Sequence, residues 1–308
     1  MALHPQCEAF LAPGADAPEL IDIPIATGRA GAYADMTISG ELAINVEILD
    51  RFIPGNTADI LVRIYRPPGA NIKNGMVYFH GGGWSYFSVD MYDAQLSSLA
   101  SLTDSIIVSV NYQKAPEHKF PIPHDDCFTG LKWTFDNAEA LGINRNKIGI
   151  GGDSAGGNLA AGVALRNRDD KLFPIAYQLL IYPCLGLDFE SDSYNTNAVG
   201  YGLSKRTMSW LWSLYLNNES DHTNPYAVPL ASQSCADLPP AIVITAEFDV
   251  LRDDGLRYAQ KLEHDGTSVI YREYPGMIHG FFNYGKFIDD GIMARTHFAE
   301  AIKELLES

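Results

Sequence analysis

No apolar run in this sequence approaches the roughly 18 residues that a membrane-spanning helix requires, so none is expected. Cysteine is scarce: Cys7, Cys127, Cys184 and Cys235 are scattered among 308 residues, without C-x-x-C spacing. Neither a disulfide framework nor a zinc site is expected, and reduced thiols in the cytoplasm are the simpler reading. The opening MALHPQCEAFLAPGADAPEL lacks a basic stretch followed by an unbroken apolar one, so no secretory signal is read there. Positive charge is short too, with 22 Lys and Arg against 38 Asp and Glu and a net charge of −16. Such a surface repels phosphate backbones and acidic headgroups, which argues against nucleic-acid and membrane-surface partners. Internal repeats and low-complexity tracts are absent. With 46% hydrophobic and 19% charged residues, the balance is that of a globular protein, which excludes a disordered or fibrous one.

What is present alternates. Short β-rich apolar runs at 60–65, 76–80, 105–111, 147–152, 176–182, 241–247 and 267–274 read as strands. Several are near-continuous Val, Ile, Leu and Tyr, as in strands buried on both faces. Between them, helical patterns fall at 88–102, 124–140, 155–167, 253–264 and 289–306. This order predicts a mostly parallel, doubly wound α/β sheet, whose ligands bind beyond the C-terminal ends of the strands. Two stretches break the alternation, at about 1–50 and at 186–226. The second contains SKRTMSWLWSLYLNN, read as a helix packing through Trp210, Leu211, Leu214 and Tyr215. Both stretches are read as a cap on a single catalytic domain spanning 1–308.

Gly152-Asp153-Ser154-Ala155-Gly156 matches G-x-S-x-G at the junction of a predicted strand and a predicted helix. A serine on that sharp turn projects its hydroxyl above the sheet, beside a helix N-terminus that favours negative charge. His80-Gly81-Gly82-Gly83 follows another predicted strand. Its glycines let backbone N–H groups turn inward, and such donors, with the N–H following the nucleophile, can hold the oxyanion of a tetrahedral intermediate. A phosphate loop is excluded, because no G-x-x-x-x-G-K-[ST] occurs and Ser154 stands where G-x-G-x-x-G needs its last glycine.

A nucleophilic serine needs an imidazole to take its proton and an acid to orient that imidazole. Asp249 lies just past the strand at 241–247, whereas Asp253 and Asp254 open the next helix and read as helix-start charges or caps. Of the histidines after Asp249, His264 ends a charged helix and His297 lies within the last one. His279 alone falls in a loop above the sheet, in Pro275-Gly-Met-Ile-His-Gly280.

HGGGW at 80–84, GDSAGG at 152–157, EFDVLRDDG at 247–255 and GMIHGF at 276–281 resemble the hormone-sensitive-lipase-like esterases of the α/β-hydrolase superfamily. NYQKAPEHKFP at 111–121 and the opening LHPQCEAFLA extend the likeness across nearly the whole chain. The resemblance implies an α/β-hydrolase fold: a mostly parallel eight-stranded sheet flanked by helices, with a helical cap. It implies Ser154 as nucleophile, Asp249 as acid, His279 as base, and the N–H groups of Gly82, Gly83 and Ala155 as oxyanion hole. His80 is similar to a loop-organising residue. Val250 departs from the family's usual proline, and Gln113-Lys114 from a commoner Arg-Leu.

The expected activity is that of a serine carboxylesterase cleaving short- to medium-chain esters through an acyl-enzyme, with no metal or organic cofactor. Trp84, Met208 and Leu211 are expected to wall the substrate pocket. The expected partner is a small-molecule ester, and a homodimer is compatible with the sequence. Two other readings stand beside this one: an amide deacetylase, and a non-catalytic receptor. Plant gibberellin receptors resemble the same family but lack the functional histidine, whereas all three positions are filled here.

Overall fold

The computed structural model describes residues 2–34, 36–69 and 71–307, and its framework is one eight-stranded sheet. The strands are β1 (Glu47–Ile53), β2 (Ile60–Arg66), β3 (Lys73–Phe79) and β4 (Ser105–Asn111), then β5 (Ile143–Asp153), β6 (Gln178–Ile181), β7 (Ala241–Phe248) and β8 (Val269–Ile278). Across the sheet they run β1-β2-β4-β3-β5-β6-β7-β8. β2 is antiparallel to both β1 and β4, and every other pair is parallel.

The period-two alternation of a strand divides the core. Val77 and Phe79 join the cluster on one face, Met76 and Tyr78 the cluster on the other. Before β3 lie helices α1 (Pro5–Leu11) and α2 (Ile25–Ala32). Next come α3 (Asp93–Thr103), α4 (Ile122–Asp136), α5 (Ala138–Leu141) and α6 (Ala155–Asp170). The last four are α7 (Asp192–Thr196), α8 (Lys205–Tyr215), α9 (Arg252–His264) and α10 (Asp289–Glu307). Leu96 and Leu99 of α3 and Phe298 and Ile302 of α10 fill one face. Leu131 of α4, Leu159 and Val163 of α6 and Leu262 of α9 fill the other. Each such side chain, fully buried, contributes about 1.5–3 kcal/mol.

The structure corrects several details of the sequence reading. Residues 47–50, grouped there with the N-terminal stretch, belong to β1, an edge strand with charged and largely exposed side chains. β8 continues to Ile278, which puts His279 immediately after a strand end. In α8 the buried stripe is Thr207, Met208, Leu211, Trp212 and Tyr215, while Trp210 and Leu214 are only half-buried. The helix sits on its neighbours through that stripe because Trp84 stacks on Tyr215 and approaches Trp212.

Segments 1–50 and 186–226 meet. Glu19 accepts hydrogen bonds from the hydroxyls of Ser204 and Thr207, and Asp22 pairs bidentately with Arg206 at 2.6 Å. The first helix instead lies along the end of β8, where His4 N–H donates to Gly276 O at 3.0 Å. Among the described residues, no helix is long and apolar enough to cross a membrane.

Candidate active site

β5 ends at Asp153 and α6 begins at Ala155, so Ser154 is the single residue that turns strand into helix. Its backbone sits at φ 55° and ψ −119°, a region costly for a residue with a Cβ. Room for the turn comes from Gly156: a Cβ there would lie 1.9 Å from Phe79 O. The turn is held by Ser154 N–H donating to Ile181 O at 2.8 Å.

Three strand ends bring the predicted residues together. Ser154 follows β5, Asp249 follows β7 and His279 follows β8. His279 Nε2 lies 3.0 Å from Ser154 Oγ, and His279 Nδ1 lies 2.7 Å from Asp249 Oδ2. Asp249 is 1% exposed, and its second carboxylate oxygen accepts Leu251 N–H at 2.9 Å. Asn197, from the segment between β6 and β7, donates to Asp249 O at 3.1 Å. The Tyr182 ring leans on the imidazole at 4.8 Å between centroids, limiting its tilt. In this arrangement an Nδ1–H bonded to the carboxylate leaves Nε2 as acceptor for the serine proton. His264 and His297 are elsewhere: the first is exposed beside Asp265, the second bonds Tyr274 OH.

The loop after β3 turns at Gly82 (φ 99°) and Gly83 (φ 55°), which only glycine adopts without strain. Among the described residues, the N–H groups of Gly82, Gly83 and Ala155 donate to no backbone carbonyl. Behind the loop, His80 stacks on Tyr112 at 4.3 Å, and the Tyr112 hydroxyl donates to His80 O at 2.8 Å. The departing pair of that segment folds inward: Gln113 N–H donates to the Asp126 carboxylate, and Lys114 Nζ to Asn111 Oδ1. Burial pushes the Lys114 ammonium down to about 8.

The three residues expected to wall the pocket are all buried. Trp84 is 0% exposed; its indole stacks on Tyr215 at 4.3 Å and donates to Asn158 Oδ1 at 3.3 Å. It braces the loop after β3 against α8. Leu211 places its methyl groups against Gly83, while Met208 packs into the core cluster.

Some residues that shape the site gave no signal in the sequence. Asp153, read only as the variable position of G-x-S-x-G, is buried at 1% exposure. Asp253 and Asp254, read as helix-start charges, bind the segment after β6. Asp253 accepts Ser193 N–H at 2.9 Å, and Asp254 accepts the N–H groups of Leu185 and Gly186 at 2.8 and 3.0 Å. Burial pushes Asp254 up to about 7.

The pattern of the α/β hydrolase fold family matches residues 76–283. Over 254 residues the chain is 37% identical to carboxylesterase NlhH of Mycobacterium tuberculosis, covering 81% of this chain and 80% of that protein. An arylesterase of Saccharolobus solfataricus is 39% identical over 225 residues, covering 72% and 73% of the two chains. The solved structure of an ester hydrolase from the metagenome of Lake Arreo superposes with a TM-score of 0.94 at 34% identity, over 99% of this chain and 100% of that one. Sheet order, sequence pattern and relatives agree: the chain belongs to the α/β-hydrolase fold family, in its hormone-sensitive-lipase-like branch.

Proposed function

We propose that the chain is a serine carboxylesterase cleaving short- to medium-chain esters through an acyl-enzyme. The observation that carries this is the continuous line from Ser154 Oγ through His279 to the buried Asp249, at 3.0 and 2.7 Å. Ser154 attacks the ester carbonyl while His279 takes its proton. Asp249 holds the imidazole in the required tautomer and stabilises the imidazolium. The tetrahedral oxyanion forms against the N–H groups of Gly82, Gly83 and Ala155. His279 then protonates the departing alcohol, the acyl group stays on Ser154, and water repeats the sequence to release the acid.

The names of the relatives support an ester as substrate, and the closeness of Leu211 to Gly83 supports a limited acyl length. A cytoplasmic setting belongs to the same reading. Its support is that Cys7, Cys127, Cys184 and Cys235 are all free and buried.

The test is a series of p-nitrophenyl esters of rising acyl length, with an organophosphonate control. Saturable hydrolysis abolished by one covalent adduct on Ser154 is the expected result. Binding without turnover, and no adduct, would mark a receptor. Faster cleavage of the matched acetanilides than of the esters would favour a deacetylase.

A further inference from the structure

The chemistry above uses Ser154 and leaves its neighbour Asp153 without a task, yet four protein donors converge on that carboxylate. Oδ1 accepts from the Tyr78 hydroxyl at 2.9 Å and from Gly81 N–H at 3.0 Å. Oδ2 accepts from the Tyr92 hydroxyl and from the Asn283 side-chain amide, both at 2.9 Å. These donors come from separate pieces of chain. Tyr78 stands on β3 and Gly81 in the oxyanion loop. Tyr92 closes the 3-10 turn Val89–Tyr92, and Asn283 closes the turn Phe281–Asn283 just after His279.

A ring made only of donors requires an acceptor on every side. An ionised carboxylate meets it; a neutral acid or an amide would set one donor against another. Burial pushes the Asp153 pKa up, and the hydrogen bonds from Asn283, Tyr78 and Tyr92 oppose that rise. The fit is close, because a Cβ on Gly81 would lie 2.5 Å from Asp153 Oδ2. Gly81 N–H also donates to the Tyr92 hydroxyl at 2.9 Å, so the loop is gripped twice.

We propose that Asp153 is a positioning residue whose carboxylate ties the oxyanion loop and the base-bearing turn to the backbone of the nucleophile. This rests on the roles assigned above to Ser154, His279, Gly82 and Gly83. Oxyanion donors must stand 2.7–3.1 Å from the developing charge, roughly, and the base must stay within hydrogen-bond reach of the serine. Separate loops hold such tolerances only against a shared reference. Here that reference is one residue from Ser154, on the same strand end. A misplacement of about 1 Å is enough to cost ~10²-fold in rate without touching the reacting groups themselves.

The test compares Asp153→Asn, Tyr92→Phe and Asn283→Ala, each assayed well below its own Tm. Asp153→Asn keeps the volume and turns one of the two accepting oxygens into a donor that faces donors. It is expected to lower kcat by about 10- to 100-fold, with KM changed less than about twofold. Tyr92→Phe and Asn283→Ala each remove one strut and should lower kcat several-fold. Added to Asp153→Asn, neither should cost much more, since all three act through one anchor. A role confined to folding would lower Tm and leave kcat at the wild-type value, and that result overturns the proposal. Fully additive losses in the double variants overturn it as well. If Asp153→Asn does not fold, the two single-strut variants decide: wild-type kcat in both sinks the idea. Failure of the underlying serine assignment is seen separately, as wild-type protein in which a phosphonate does not label Ser154.

Discussion

Leu211 of α8 lies where the side chain of any residue other than glycine would stand at position 83: an ideal Cβ on Gly83 falls 2.6 Å from Leu211 Cδ1. The loop after β3 and α8 are therefore fitted to each other beside the proposed oxyanion hole. Trp84, one residue on, adds a second contact to the same helix through Tyr215. If the proposed acyl site lies at this seam, its packing limits the size of the substrate.

Leu211→Ala opens the seam. It should destabilise the protein by about 2–5 kcal/mol, the usual cost of removing a buried leucine. It should also move the optimum of kcat/KM toward longer or bulkier acyl groups, because each additional CH₂ that can be buried contributes ~0.8 kcal/mol. Gly83→Ala does the reverse: the new Cβ meets Leu211 at φ 55°, the loop shifts, and kcat/KM falls at least ~10²-fold. An ester series and thermal melts check both. An unchanged acyl profile in Leu211→Ala would remove that residue from substrate selection.

Ser154→Ala and His279→Ala should each lower kcat by at least ~10³-fold while the protein stays folded, because the relay acts as a unit. The double variant should be little worse than either one. In the wild type, kcat/KM should rise with pH along a single one-proton limb, since only a neutral imidazole accepts the serine proton. Activity unchanged between about pH 5 and 8, for a substrate limited by chemistry, would contradict a histidine base.

How much of this could be read from the sequence depends on the range of the interactions. The strands at 147–152, 241–247 and 267–274 were legible as short β-rich runs, and the three candidate triad side chains because each lies just beyond such a run. β1 was missed: Glu47, Asp50 and Arg51 break the apolar pattern, and the strand owes its existence to pairing with β2. Asp153 was invisible as a hub because Asn283 is 130 positions away from it. Asp254 does stand in the first turn of α9, as read, but its hydrogen bonds to the Leu185 and Gly186 N–H groups were not legible because those partners are distant in sequence. The face of α8 that is buried was also set from outside, by Trp84.

Asp254 gives a prediction in pH. In the unfolded chain its carboxyl ionises near the ordinary value of 3.8; in the fold, burial raises it to about 7. Between those values the folded state holds a proton that the unfolded state has lost. Stability therefore falls as pH rises through that window and stays lower above it. Asp254→Asn cannot ionise and still offers an oxygen to Leu185 N–H and Gly186 N–H. The Tm difference, variant minus wild type, should be more positive at about pH 8 than at about pH 4. A difference that is flat or reversed across that range would show that Asp254 is ionised in the fold throughout.

The N-terminal segment should govern the site through Arg29. From α2 this guanidinium donates through Nε to Ser85 O at 2.8 Å and through Nη2 to Ala115 O at 2.9 Å. It also pairs bidentately with Glu117 at 2.8 Å, which holds that carboxyl down to about 2. Glu117 is exposed, so its pair with Arg29 is worth little, and Glu117→Gln should change Tm only slightly. The two carbonyl contacts matter more, since Ser85 continues the oxyanion loop and Ala115 N–H donates to Trp84 O at 3.0 Å. Removing residues 1–35 takes away Arg29 together with the contacts of Glu19 and Asp22 to α8. The truncated protein should melt earlier, bind esters more weakly and lose its sharp decline at longer acyl groups. Arg29→Met should reproduce part of the loss in Tm and part of the rise in KM, with the acyl profile kept because α8 remains latched. Should the truncation leave both the acyl profile and Tm as they were, the N-terminal segment has no part in the site.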